Sequence, residues 1–319
     1  MQRPLRFGIL GCARIARRGM IAGIRHAPSA ELTAIASRDG ASAQAWASEF
    51  GIPRHYASYD DLLGDSEVDA VYVPLPNELH CEWTLRAASA GKHVLCEKPL
   101  ALNYDDARRI VDGCRAAGVV LMEAFMWRHH PRTRKSREML AAGELGELRT
   151  VLMDFSFNID ADDWRLDPRR GGGALYDVGC YGINAARLFA GQDPLEIRAA
   201  ARMHASGVDM TTGLLLTFPN GVLGVVNCSF ESAYRNRIEI VGTGGTLEMP
   251  DGVLPDPQAE LLWRVDGDLR RVPFGAADQY AEQVEAFCAG VAAGRLSDPA
   301  EDGLANMQAL DQARKLAWN

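Results

Sequence analysis

The chain has 319 residues, of which 47% are apolar and 24% charged, and its formal net charge is −8. That length accommodates two domains, each able to bury a core. The acidic balance argues against nucleic acid as a partner, because a phosphate-binding face needs a net basic surface.

Leu5 to Leu10 is a short apolar run that ends at Gly11, and a helical pattern follows from Arg14 to His26. A second apolar run spans Glu31 to Ala36, with a helix after it from Ala41 to Phe50. Val68 to Val73 reads as a third strand, bounded by Pro74 and Pro76. An amphipathic stretch from Leu79 to Ala90 stops at Gly91, and Val94-Leu95 lead a strand into Pro99. Asp105 to Ala117 is another helix, with Gly118 just past its end, and Val119 to Met122 a further strand. Strands alternating with helices at this pitch predict repeated βαβ units and a parallel sheet.

The rhythm changes after Trp127. Strand patterns occupy Leu148 to Phe157, Gly213 to Phe218, Val222 to Phe230, Arg237 to Val241 and Leu261 to Val265. Turn signals separate several of them: Pro219-Asn220-Gly221, Gly242 to Gly245 and Asp266-Gly267. Strands joined by short turns, without helices between, predict an antiparallel sheet. Asp177 to Phe189 is helical, and Gln279 to Leu316 reads as two helices around a connection from Gly290 to Asp298. The expected division falls between Glu123 and Pro131: an α/β dinucleotide domain over 1–125 and an α+β domain over 126–319. The last helices are free to pack back on the first domain.

The seven cysteines are scattered, with no CxxC pair and no Cys/His cluster, so neither a disulfide framework nor a structural zinc site is supported. His129-His130 does not make a metal pair, because adjacent side chains point in different directions. Met1 to Arg6 runs straight into the first strand, without a signal-like or membrane-spanning apolar stretch. A cytoplasmic location, with no membrane partner, is the expectation.

The first strand delivers Gly11-Cys12-Ala13-Arg14-Ile15-Ala16. A dinucleotide fingerprint wants glycine at the tight turn, at the pyrophosphate approach and at the helix–strand contact. Gly11 meets the first, Ala13 departs at the second, and Ala16 is an accepted small residue at the third. The loop follows a strand and opens a helix whose N-terminal amides can hold an anion. The second strand ends at Ser37-Arg38-Asp39. Where NAD sites place a carboxylate for the ribose hydroxyls, a hydroxyl and a guanidinium attract a 2′-phosphate. NADP is therefore favoured; Asp39 keeps NAD open, since a shift of one residue restores the acid.

Two constellations carry chemistry. Cys96-Glu97-Lys98-Pro99 lies at a strand C-terminus, where ligands bind in open α/β sheets. Asp177, Tyr181 and Asn184 are spaced i, i+4, i+7 behind Gly171-Gly172-Gly173, which places them on one helix face. Such a polar stripe faces either a ligand or water.

These motifs, with Glu123 to Pro131, resemble the Gfo/Idh/MocA family over essentially the whole chain. The resemblance implies a Rossmann domain followed by a domain with a large open, mainly antiparallel sheet, which commonly packs against a second subunit as a homodimer. It implies that Lys98 lies near the nicotinamide and assists proton transfer. Tyr181 stands where many members carry histidine; the tyrosine version resembles the branch that holds glucose–fructose oxidoreductase, dimeric dihydrodiol dehydrogenase, D-xylose dehydrogenases and sugar 3-ketoreductases. A free tyrosine, with pKa about 10, is a poor base near neutrality. A lysine ammonium and a positive nicotinamide ring both favour tyrosinate. Asp177 is then a hydroxyl acceptor or a partner of Lys98, unless it only stabilises a helix start.

Pro74, Leu75, Pro76, Asn77 and His80 fall where the family lines its cofactor, and Glu97 precedes the lysine. Trp127, Arg128, Trp164 and Arg165 are candidate walls of the nicotinamide and substrate site, with Tyr280 returning toward it; each has an ordinary packing or surface alternative. The leading reading is an NADP-dependent dehydrogenase of a small polyhydroxylated substrate, a sugar or cyclic diol. A nucleotide-sugar ketoreductase is the second reading, with Arg132, Arg134, Lys135, Arg169 and Arg170 as candidate diphosphate ligands. A non-catalytic dinucleotide sensor is the third, and it would need neither Lys98 nor Tyr181.

Overall fold

Leu5–Leu10 (β1) is central to a six-stranded sheet whose remaining strands are Ala30–Ala36 (β2), Arg54–Tyr56 (β3), Ala70–Val73 (β4), His93–Cys96 (β5) and Leu121–Glu123 (β6), in the order β3-β2-β1-β4-β5-β6. Every neighbouring pair is parallel. This is the order of a Rossmann sheet, in which connections leave in opposite directions from the centre and open a ligand site at the strand C-termini. Phe7, Ile9, Ile35 and Tyr72 are among the fully buried residues that read as continuous apolar runs in the sequence, as strands covered on both faces require.

The computed structural model describes residues 3–296 and 299–318. Met1 and Gln2, in the stretch read as leading into β1, and Ser297 and Asp298, in the connection expected to reach Asp298, lie outside them. The chain divides into two compact units, Met1–His129 with Asp278–Leu304 and His130–Ala277 with Ala305–Asn319.

In the first unit the helix expected from Arg14 is interrupted by a π-turn over Ala16–Met20 before continuing as Ile21–His26 (α1). Asp39 caps Gly40–Phe50 (α2), and Gly51 ends it in the left-handed region. Tyr59–Leu63 (α3) and β3 have no counterpart in the sequence reading. His80–Ser89 (α4) and Tyr104–Ala116 (α5) flank β5, the latter capped by Asn103 and burying Ala107, Ile110, Val111 and Cys114. Gln279–Ala293 (α8, numbered in chain order) packs here too, its Phe287 ring 5.7 Å from that of Phe7.

The second unit begins with Pro131–Ala141 (α6) and holds an eight-stranded sheet. Its strands are Leu148–Ser156 (β7), Glu196–Met203 (β8), Asp209–Thr217 (β9), Leu223–Ser229 (β10), Arg235–Gly242 (β11), Gly245–Pro250 (β12), Ala259–Val265 (β13) and Asp268–Gly275 (β14). They run β14-β13-β12-β11-β7-β10-β9-β8, antiparallel throughout except where β7 and β10 pair in parallel. Cys180–Ala190 (α7) covers one face. It sits close: a Cβ on Gly182 would stand 2.3 Å from the Val226 side chain. On strand β10, Val226 points into that contact while Leu223 and Val225 remain 40% and 39% exposed on the other face. Ala300–Ala317 (α9) closes the described chain, and among the described residues no helix is long and apolar enough to cross a membrane.

Candidate active site

Gly11 turns the chain at the end of β1 with φ at +103°, and a Cβ there would meet Leu75 at 3.0 Å. Only glycine combines that backbone with that approach. The helix from Arg14 opens on Ala13, whose methyl cannot cap it, so its first amides are free to hold an anion such as a pyrophosphate. Arg14 itself is exposed, while Cys12, Ala13 and Ile15 are half-buried.

The tip of β2 shows how Asp39 is used. Asp39 spends its carboxylate on α2, accepting from the Ala41 amide at 3.1 Å and the Ser42 hydroxyl at 2.6 Å, which with the backbone bond holds it below the usual carboxylate range. Ser37 and Arg38 remain at the tip. The Cys12 thiol bonds Ser37, and burial pushes that thiol up. Arg38 donates to the Tyr59 hydroxyl, a buried phenol raised by desolvation. Tyr59 is also braced edge-on by Trp83 at 4.7 Å. The Ser37–Arg38 tip, the glycine turn and the uncapped helix fit the 2′-phosphate and pyrophosphate of a dinucleotide.

Pro74, Leu75 and Asn77 are buried after β4, and Pro76 is half-buried. His80 has no exposed surface; its Nδ1 lies 2.9 Å from the Pro99 carbonyl and its Nε2 2.8 Å from that of Leu75. The ring is thus a strut between the loops that follow β4 and β5, and its burial leaves no surface for a ligand. Glu97 is fixed by the Tyr72 hydroxyl at 2.6 Å and by the Lys98 amide at 3.2 Å. Lys98 is half-buried at this strand end, ahead of a cis peptide to Pro99. Tyr280 lies over the π-turn: a Cβ on Gly19 would stand 2.4 Å from its ring. Burial raises this phenol, the charge of Glu97 adds to that, and Lys98 opposes it. Tyr280 therefore belongs to the electrostatic surroundings of the lysine.

Trp127 and Arg128, expected as cofactor walls, lie in the short turn Met126–His129 after β6. Trp127 has no exposed surface, since its short turn packs against α8, and Arg128 forms an ion pair with Asp302.

In the second unit, Asp177 lies on a π-turn over Leu175–Gly179 that continues into α7. Arg165 Nε donates to Asp177 Oδ2 at 2.6 Å, and its Nη1 reaches Asp163 at 3.2 Å. Trp164 is flanked by the guanidinium groups of Arg165 and Arg170, 5.1 and 5.3 Å from its ring. Tyr181 is 5% exposed, its ring 6.1 Å from Phe155. Asn184 is fully buried, so the polar stripe sinks into the interior by its third member. The segment thus offers an oriented carboxylate and a mostly enclosed phenol, a suitable pair for binding and deprotonating a hydroxyl.

Family models match both units: residues 5–125 an oxidoreductase family with an NAD-binding Rossmann fold, and residues 133–248 a GFO/IDH/MocA C-terminal domain. The chain belongs to the GFO/IDH/MocA oxidoreductase family.

Within this family the chain is 42% identical to a D-xylose 1-dehydrogenase (NADP(+)) of Haloferax volcanii, over 90% of its own length and 89% of the relative's. It is 36% identical to the mouse trans-1,2-dihydrobenzene-1,2-diol dehydrogenase, over 84% of its length and 80% of that protein's. Its fold matches the crystal structure of a 3-ketoreductase from Actinomadura kijaniata, in complex with NADP and TDP-benzene, with a TM-score of 0.92, at 37% identity and covering 99% and 98% of the two chains.

Two further placements bear on the substrate. Arg132, a candidate for a diphosphate, is buried and donates to the carbonyls of Pro250, Glu260, Asp251 and Gly252 at 2.6 to 3.3 Å. It cannot also bind a phosphate. Arg169 pairs with Asp167 at 2.9 Å. Sequence reasoning missed Tyr59 and Asp209. Tyr59 follows a Ser58 cap, which is a helix-start signal, but nothing in the sequence joins it to Arg38.

Proposed function

We propose that this oxidoreductase is an NADP(H)-dependent dehydrogenase acting on a hydroxyl-bearing carbon of a sugar or cyclic diol, with Lys98, Tyr181 and Asp177 as its catalytic residues. The observation that supports the cofactor preference is the commitment of Asp39 to capping α2, which leaves Ser37 and a Tyr59-braced Arg38 at the tip of β2. When bound, NADP supplies the nicotinamide carbon that takes or returns hydride. The protein's part is the proton. Tyr181 takes it from a substrate hydroxyl, Asp177, set by Arg165, accepts from a neighbouring hydroxyl, and Lys98 supplies an ammonium at the end of β5. In the reverse direction Tyr181 returns the proton to the forming alcohol.

A keto-sugar reductase linked to a nucleotide is the second reading, favoured by the likeness to the Actinomadura 3-ketoreductase. The burial of Arg132 weighs against it, because it withdraws one of the cations a diphosphate would need. We also propose a homodimer through the open sheet face, where Leu215, Leu223 and Val225 stand exposed together. The reaction is tested by following reduced-nicotinamide absorbance with NADP⁺, and separately NAD⁺, against aldoses, inositols and cyclic diols. Turnover of one class with NADP⁺ is expected. Activity confined to a nucleotide-linked keto-sugar would favour the second reading, and a preference for NAD⁺ would overturn the cofactor assignment.

A further inference from the structure

Asp209 opens β9 and has no exposed surface. Its Oδ2 accepts from the Leu175 amide at 2.8 Å and from the Thr212 hydroxyl at 2.6 Å. Its Oδ1 has no hydrogen-bond partner. That oxygen lies instead beneath the glycine turn, where a Cβ built on Gly173 would stand 2.2 Å away. Gly173 holds φ at +108°, and the Cα–H that takes the place of a side chain faces the oxygen. A Cβ on Gly172 would stand 2.2 Å from the Arg165 carbonyl, to which the Gly173 amide donates at 2.9 Å. These two glycines are therefore required by neighbouring chain in their own unit.

Burying a carboxylate with one oxygen unsatisfied is costly. Burial raises Asp209, while the bonds from Thr212 and Leu175 pull it back. In return the carboxylate satisfies an amide at the start of the π-turn, where helical amides lack partners of their own. A π-turn is a rare backbone form that re-aims side chains, and it needs support from its surroundings. Here the support comes from two sides: Arg165 grips Asp177 by its side chain, and Asp209 grips Leu175 by its main chain.

We propose that Asp209 is a positioning residue for the reaction: by holding the Leu175 amide beneath the Gly172–Gly173 turn, it sets the direction in which Asp177 and Tyr181 leave the helix. This rests on the reading of Asp177 and Tyr181 as substrate-facing. Three variants separate the possibilities. Asp209→Ala removes the acceptor, Asp209→Asn keeps an acceptor of the same shape, and Thr212→Val removes the hydroxyl that steadies the carboxylate. Each is measured for kcat, sugar KM, NADP⁺ Kd and hydrogen exchange at the Leu175 amide.

Asp209→Ala is expected to lower kcat by about 10- to 100-fold, with NADP⁺ Kd within about twofold of wild type and faster Leu175 exchange. Asp209→Asn is expected to restore kcat to within about threefold of wild type, and Thr212→Val to fall between the two. A folded Asp209→Ala protein with kcat within about twofold of wild type would overturn the proposal, as would an Asn variant as slow as the Ala variant. Should the Ala variant fail to fold, a Thr212→Val protein unchanged in both kcat and Leu175 exchange would overturn it. A Tyr181→Phe protein as fast as wild type would remove the underlying reading and the proposal with it, while Leu175 exchange would still report whether the grip exists.

Discussion

Ser37 and Asp39 are two positions apart and do opposite work. Asp39 turns back onto α2 as a cap, and Ser37 stays at the tip beside Arg38. The sequence showed the right residue types but not which of them the helix would claim. Removing the Arg38 guanidinium from a 2′-phosphate deletes a charge-assisted bond of about 1.5–3 kcal/mol. Arg38→Ala is therefore expected to raise KM for NADP⁺ by about 10- to 100-fold while changing KM for NAD⁺ little, as read from initial rates with each cofactor. Equal losses with both would assign Arg38 to folding. Gly11, Lys98, Asp177 and Tyr181 were legible because local motifs mark them. Tyr59 and Asp209 were not, because each acts through a partner distant in sequence, Arg38 for one and Leu175 for the other.

Among the elements, the strands of the first sheet were largely readable, being apolar runs bounded by glycine and proline. The elements that escaped broke the pattern for identifiable reasons. β8 and β14 are the two edges of the second sheet; Asp268–Gly275 is exposed along most of its length, and its arginines and proline discourage further pairing. Helix α6 inverts the usual amphipathic rule by burying Arg132, Thr133 and Ser136. Its cap is His130, whose Nδ1 accepts from the Arg132 amide at 3.1 Å and must be unprotonated to do so. Burial, with Arg132 and Arg134 beside it, holds this imidazole down to about 4. Since a free histidine titrates near pH 6.5, the unfolded chain binds the proton first. The contribution of the cap is full above about pH 6.5 and is lost as pH falls toward 4. Urea unfolding between pH 7 and 4.5 is expected to show stability falling with pH, and His130→Asn, which keeps a capping oxygen, to flatten that slope. An unchanged slope would remove His130 as its source.

At the scale of the whole molecule, both fold classes followed from rhythm: strands alternating with helices in the first unit, strands joined by turns in the second. The extent of the second sheet did not, because β8 and β14 lack clean alternation and the short β12 starts inside the Gly242 to Gly245 turn signal. Its open face places Leu215 and Val225 side by side across β9 and β10. If that face joins two copies, Val225→Lys is expected to halve the mass seen by sedimentation equilibrium without unfolding the chain. A wild-type protein that sediments as a monomer would contradict the dimer. The central claim concerns chemistry, and Tyr181→Phe tests it most directly, with kcat and NADP⁺ Kd measured side by side on a reactive sugar or diol. The expected result is a fall in kcat of about 100-fold or more with NADP⁺ Kd within about twofold of wild type, as loss of the proton acceptor requires. A kcat equal to that of the wild-type enzyme would contradict the assignment of Tyr181, and with it the proposed mechanism.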